Sequence, residues 1–154
     1  MKEAYLYTKL DDDRVRCFFC SHRCLIKDGA KGICGVRENR GGTLFSLVYG
    51  KIIARHVDPI EKKPLFHFLP GSRSYSIATV GCNFRCRFCQ NADISQMPAD
   101  RGSIWGDDMT PSMLVKEAKT GHASSIAYTY TEPTIYYEIA AARAARCGCG
   151  GRGR

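Results

Sequence analysis

Cys82, Cys86 and Cys89, spaced as Cys-x-x-x-Cys-x-x-Cys, are the residues of this chain best suited to chemistry. Thiolates are soft ligands that favour iron–sulfur clusters and zinc. An iron–sulfur cube has four irons, and one that only carries electrons normally takes four thiolates. Three closely spaced cysteines therefore leave one iron of a [4Fe–4S] cluster without a protein ligand. An open coordination position separates a catalytic metal site from a structural one, as zinc enzymes illustrate. The competing reading is a structural zinc site made of the three cysteines and a histidine such as His67.

A second set lies near the N-terminus: Cys17, Cys20 and Cys24, followed by Cys34. Four thiolates at such spacings suit zinc or a second iron–sulfur cluster, and they would close the coordination shell. Their expected role is structural or electron-relaying, and a reduced, metal-free knuckle is the other reading. His22 stands between Cys20 and Cys24 and could replace one of them, although a solvated loop histidine is the simpler expectation. His56, His67 and His122 carry no spacing signal. Cys147 and Cys149 have no further ligands beside them and make a poor site.

Nine cysteines could also serve a secreted disulfide scaffold. The N-terminus, however, lacks the apolar core of a signal peptide, and no run approaches the ~18 apolar residues of a membrane span. A cytoplasmic protein without a membrane partner is expected, and there closely spaced cysteines point to metal. With 44% hydrophobic and 25% charged residues, the composition is that of a globular chain and not a disordered one. The net charge of +8 invites nucleic acid, but Arg143, Arg146, Arg152 and Arg154 supply half of it from the C-terminal tail. The rest contains no long basic block and no nucleic-acid module, so nucleic acid is not the expected partner.

The elements that must position the cysteines read as an α/β chain. Residues 1–40 show little hydrophobic periodicity and are not expected to bury a core alone. Residues 44–48 and 51–54 read as two short strands turning at Tyr49-Gly50. A proline-punctuated, extended connection is expected from Asp58-Pro59 to Pro70-Gly71, with Lys62 and Lys63 read as solvated. Residues 75–80 form an apolar strand stopped by Gly81, and the triplet follows as a loop off its end. Thr110 reads as the N-cap of a helix with Pro111 first and Gly121 closing it. Residues 125–130 read as a second buried strand, and a second helix is expected from Ile135. This rhythm suits parallel βα units, whose chemistry gathers on loops at strand C-termini. The expected division is a cysteine-rich segment with short strands over 1–72, a βα core over 73–139 and a low-complexity tail over 140–154.

The segment Gly81-Cys82-Asn83-Phe84-Arg85-Cys86-Arg87-Phe88-Cys89-Gln90-Asn91 resembles the signature of the radical S-adenosylmethionine (radical SAM) proteins. The resemblance implies a [4Fe–4S] cluster on Cys82, Cys86 and Cys89, with SAM chelating the open iron. It also implies an electron donor such as flavodoxin or ferredoxin. Reductive cleavage of SAM would give a 5′-deoxyadenosyl radical that abstracts hydrogen from a protein or small-molecule substrate. By the same resemblance Phe88 packs near the adenine. Tyr130-Thr131-Glu132-Pro133 corresponds to the Gly-Gly-Glu-Pro segment that holds the SAM amino group. Glu132 and Pro133 match, whereas Tyr130 and Thr131 replace glycines, so the carboxylate carries over more directly than the backbone contact at Thr131.

Longer stretches, Asp58-Pro59-Ile60-Glu61-Lys62-Lys63-Pro64 and Ala127-Tyr128-Thr129-Tyr130 among them, are similar to the AmmeMemoRadiSam-system radical SAM enzymes. These are relatives of pyruvate formate-lyase-activating enzyme. The likeness runs from about residue 15 to about residue 138 and includes the four N-terminal cysteines without naming their metal. The family continues through more units of a partial (β/α) barrel, so a truncated chain is expected; residues 140–154 read either as a flexible tail or as sequence out of frame. The alternatives to an active enzyme are a catalytically inactive metal-binding fragment and a zinc-binding interaction module.

Overall fold

The structure is a computed structural model that describes residues 1–144. Cys147, Cys149 and the glycine-rich end of the tail lie outside the described residues. The N-terminal half is built from short strands: β1 (Lys2–Glu3), β2 (Tyr7–Lys9), β3 (Val15–Cys17), β4 (Leu25–Ile26), β5 (Arg37–Arg40) and β6 (Thr43–Ser46). They form two antiparallel three-stranded sheets, β2-β3-β4 and β1-β6-β5. Between them Ala4, Val15, Cys17, Ile26 and Leu44 make a small buried core. Leu44, from outside residues 1–40, completes this core. Strands of two to four residues are too short for alternation to stand out, yet Val15 and Cys17 point inward and Arg16 outward, as a strand requires.

The turn at Tyr49-Gly50 forms, with the Lys51 amide donating to the Val48 carbonyl, but the expected hairpin does not. β7 (Lys51–Ile52) pairs instead with β10 (Asp107–Asp108), and β8 (Ala54–Pro59) pairs with β9 (Arg73–Ala78). Gly50, at φ +79°, brings its carbonyl within 2.7 Å of the Met109 amide, which ties the turn to the distant segment. Asp58 and Pro59, expected in an irregular connection, are the last residues of β8. A single 3₁₀ turn (Ile60–Lys62) then starts the connection to β9.

The sheet behind the triplet has the order β11-β9-β8, where β11 (Ser125–Tyr128) runs parallel to β9 and β8 antiparallel. Since β8 pairs with β9 along its whole length, the first segment shares a sheet with the βα core. Two short helices, α1 (Ala92–Ser95) and α2 (Met97–Arg101), follow the triplet, and α3 (Pro111–Thr120) crosses back to β11. α3 begins and ends as its residues dictate: the Thr110 hydroxyl accepts from the Met113 amide, Pro111 opens the first turn, and the Gly121 amide donates back to Glu117. Leu114 and Ala118 pack on Tyr75, Ile77 and Val80 of the sheet, joined by Ile135, Tyr136 and Ile139. Each such buried side chain contributes roughly 1.5–3 kcal/mol. A 3₁₀ turn (Pro133–Tyr136) leads into α4 (Tyr137–Ala144), which refines the helix expected from Ile135. Among the described residues no helix is long and apolar enough to cross a membrane.

Candidate functional site

The triplet is delivered by the end of β9. Thr79 and Val80 are fully buried, and Gly81 turns the chain out of the sheet at φ +90°. Only glycine fits there: a methyl group would collide with the Val36 side chain and stand 3.0 Å from the Cys34 carbonyl oxygen. The Gly81 amide donates to the carbonyl of Ile94 at 3.0 Å, closing the base of a loop that carries all three cysteines. Cys82 and Cys89 are half-buried and Cys86 is exposed. The Phe84 amide donates to the Cys82 sulfur at 3.4 Å, and the Cys89 sulfur lies 3.6 Å from the Ser95 hydroxyl. Gln96 holds the Phe84 carbonyl through its side-chain amide at 3.0 Å. Phe88 is 87% exposed, so its ring is presented to solvent beside the loop.

The second segment sits at the end of the neighbouring parallel strand. The Thr131 hydroxyl donates to the Thr79 carbonyl at 3.0 Å, a buried bond that joins the two strand ends. Tyr130 takes φ +66°, the left-handed conformation that a glycine adopts without strain. Glu132 accepts from the Thr134 amide and from its hydroxyl, the latter at 2.6 Å, and so caps the 3₁₀ turn. Tyr136 is buried with its hydroxyl 3.4 Å from the Ile77 carbonyl and 3.3 Å from that of Thr129. Burial first, then the nearby Glu132, Tyr128 and Cys82, push its phenol well above the usual range.

Tyr130 is anchored from below. Buried Asp58 accepts from Lys62 and Lys63, each at 2.9 Å, from the Ser76 hydroxyl at 2.9 Å and from the Tyr130 hydroxyl at 3.1 Å. Burial alone would raise this carboxyl, but the four donors outweigh it and hold it far below the usual carboxylate range. Lys62 and Lys63 are thus ion-paired rather than simply solvated, because β8 places Asp58 beside both.

The N-terminal cysteines converge as well. Cys17, Cys20, Cys24 and Cys34 line one cavity of about 20 Å³, together with His22, Arg37 and Asn83. Burial pushes the Cys17 and Cys34 thiols above their ordinary value. His22 is an exposed turn residue whose Nε2 bonds to the Asn83 carbonyl at 2.9 Å. Arg37 is buried and pairs with Glu138 through two bonds of 2.7 and 3.0 Å. Among the described residues no group of three or more His, Cys, Asp or Glu side chains is already closed to ion-binding geometry.

With this geometry in hand, comparison with known proteins is decisive at the family level. Residues 76–152 match the radical SAM superfamily. The chain belongs to that superfamily. It is also 51% identical over 139 residues to the uncharacterized protein MJ0808 of Methanocaldococcus jannaschii, covering 90% of this chain and 41% of that protein. The uncharacterized protein MJ0674 of the same organism is 36% identical over 86 residues, which is 55% of this chain and 20% of that protein. The chain thus spans well under half the length of these relatives. No solved structure matches it.

Members of the superfamily use a [4Fe–4S] cluster, SAM and a reductant. The radical SAM loop here fits such a cluster by the chemistry of its donors. It offers three thiolates, an amide already directed at the Cys82 sulfur, and a hydroxyl beside the Cys89 sulfur. Neutral donors of this kind stabilise charge on cluster sulfurs. Sequence reasoning missed Thr79, Arg37, Asn83 and Asp58. Only Asp58 and Asn83 had a signal, each standing inside a stretch quoted for its likeness to the family.

Proposed function

We propose that this chain is the cluster- and SAM-binding part of a radical SAM enzyme of the AmmeMemoRadiSam type, related to pyruvate formate-lyase-activating enzyme. Cys82, Cys86 and Cys89 would hold the cluster, and Thr131 and Glu132 would face SAM, with Phe88 closing on the adenine. The observation that carries this reading is the Thr131–Thr79 bond, which sets the cysteine loop and the Glu132 segment at adjacent parallel strand ends. Ligands of parallel sheets bind at such ends.

Held by Cys82, Cys86 and Cys89, a bound cluster would supply the electron for reductive cleavage of SAM. The chain's own residues have simpler tasks. Glu132 supplies a carboxylate for the SAM ammonium, Thr131 fixes that segment, and Tyr136 excludes water beneath both. The electron would come from a flavodoxin or ferredoxin, and a cytoplasmic setting would keep the thiols reduced. Because the chain spans 41% of the longer-matched relative, hydrogen abstraction from a protein or small-molecule substrate is proposed for the whole protein. Cluster and SAM binding are proposed for this part.

Anaerobic reconstitution with iron and sulfide tests the reading. About four irons at the triplet, and 5′-deoxyadenosine on adding SAM and reductant, are expected of an active domain. Cluster binding without SAM cleavage would favour an inactive metal-binding fragment. Zinc alone, with no iron taken up, would favour an interaction module and overturn the proposal.

A further inference from the structure

Four cysteines from the N-terminal sheet and its connecting loops border one place in the fold. Cys17 ends β3, Cys20 and Cys24 flank the turn to β4, and Cys34 lies on the loop before β5. All four line the same cavity. Its volume of about 20 Å³ has room for one atom-sized guest. Asn83 lines this cavity and is 7% exposed, and its side-chain oxygen has no hydrogen-bond partner. Buried polar atoms are rarely left so, and one that is marks an unfilled contact.

We infer that Cys17, Cys20, Cys24 and Cys34 bind a single zinc-type divalent ion in this cavity, and that the ion clamps the cluster loop to the N-terminal sheet. Four thiolates close the tetrahedral shell of such an ion, with no position left for a substrate. His22 is not needed as a ligand, because the four thiolates fill the shell, and its Nε2 bonds to the Asn83 carbonyl. It is instead one arm of the clamp. Asn83 directly follows Cys82, so that bond reaches the first cluster cysteine from the middle of the four-cysteine set. The other arm is the Cys34 backbone, packed against Gly81 on the opposite side of Cys82. Arg37 lines the cavity too and carries the connection to Glu138 in α4, which follows the Glu132 segment. The ion is thus a positioning element for the radical SAM site, and its binding does not depend on whether that site turns over.

The test uses the full chain, purified without added iron and assayed for metals. About one zinc per chain is expected, still present in Cys86→Ala and reduced at least tenfold in Cys24→Ser. Replacement by cobalt(II) in the wild-type chain should give the intense visible bands of a tetrahedral thiolate site, which keeps the test valid if Cys24→Ser does not fold. Chelating the ion from the wild-type chain should speed amide exchange across residues 82–89, and His22→Ala should do the same with zinc retained. Zinc unchanged in Cys24→Ser would overturn the proposal. So would cobalt without thiolate bands, or about four irons bound at the N-terminal set. Exchange across the loop that ignores the ion would overturn the clamp. Loss of iron uptake with zinc retained would count against the cluster reading alone.

Discussion

The Thr131 hydroxyl donates to the Thr79 carbonyl across 3.0 Å, and both residues are buried. This single bond joins the strand end that launches the cysteine loop to the strand end that launches Glu132. Thr131→Val keeps the shape and removes the donor. The expected cost is about 1–2 kcal/mol of stability. SAM affinity should fall while iron content stays at the wild-type level, as equilibrium binding and iron assay on the same preparation would show.

Arg37 and Glu138 form an ion pair 2% and 0% exposed, respectively. Removing one partner strands a buried charge, so Glu138→Ala should cost about 3–5 kcal/mol. The Arg37→Met, Glu138→Leu double variant should recover much of that loss. Urea unfolding of wild type, Arg37→Met, Glu138→Ala and the double variant checks the coupling. A double-variant loss equal to the sum of the two single losses would mean that the pair is not coupled.

Asp58 gives the protein a defined acid sensitivity. Its folded-state pKa lies below the unfolded value near 3.9, so its contribution is complete above about pH 5. That contribution drains away as the pH falls through the unfolded value toward the folded one. Asp58→Asn should therefore be less stable than wild type at neutral pH, with the gap narrowing steadily below about pH 4. Unfolding curves measured from pH 7 to pH 2 give the comparison directly. Because Asp58 also holds Tyr130 in its left-handed conformation, the variant should weaken SAM binding as well.

Gly81→Ala should be poorly tolerated. The left-handed backbone disfavours alanine, and the new methyl would meet Val36 and the Cys34 carbonyl. A loss of about 2 kcal/mol or more is expected, with a lower melting temperature and reduced cluster retention. Gly71→Ala is the control for backbone conformation alone, since it too has a positive φ but nothing lies within 4 Å of the added group.

What could be read beforehand follows physical lines. α3 was legible because its cap, first-turn proline and closing glycine are all local signals. β9 and β11 were legible as apolar runs of strand formers. The pairing of Lys51–Ile52 with Asp107–Asp108 was not, because nothing local in a two-residue strand names a partner so far along the chain. The cysteines of both sets stood out by spacing. Their supporting residues did not, since Thr79 with Thr131, His22 with Asn83, and Asp58 with Tyr130 become neighbours only in three dimensions. Tyr130 is instructive: it replaces a glycine of the resembled segment yet keeps a glycine-like backbone angle, held by its hydroxyl on Asp58.

The central claim is that the triplet holds a cluster with one iron open to SAM. Electron paramagnetic resonance of the reduced, reconstituted chain tests it most directly, recorded before and after adding SAM. A [4Fe–4S] signal that changes on adding SAM and disappears in Cys86→Ala is the predicted result. A reduced cluster signal that SAM leaves untouched, or one that survives in Cys86→Ala, would contradict the account.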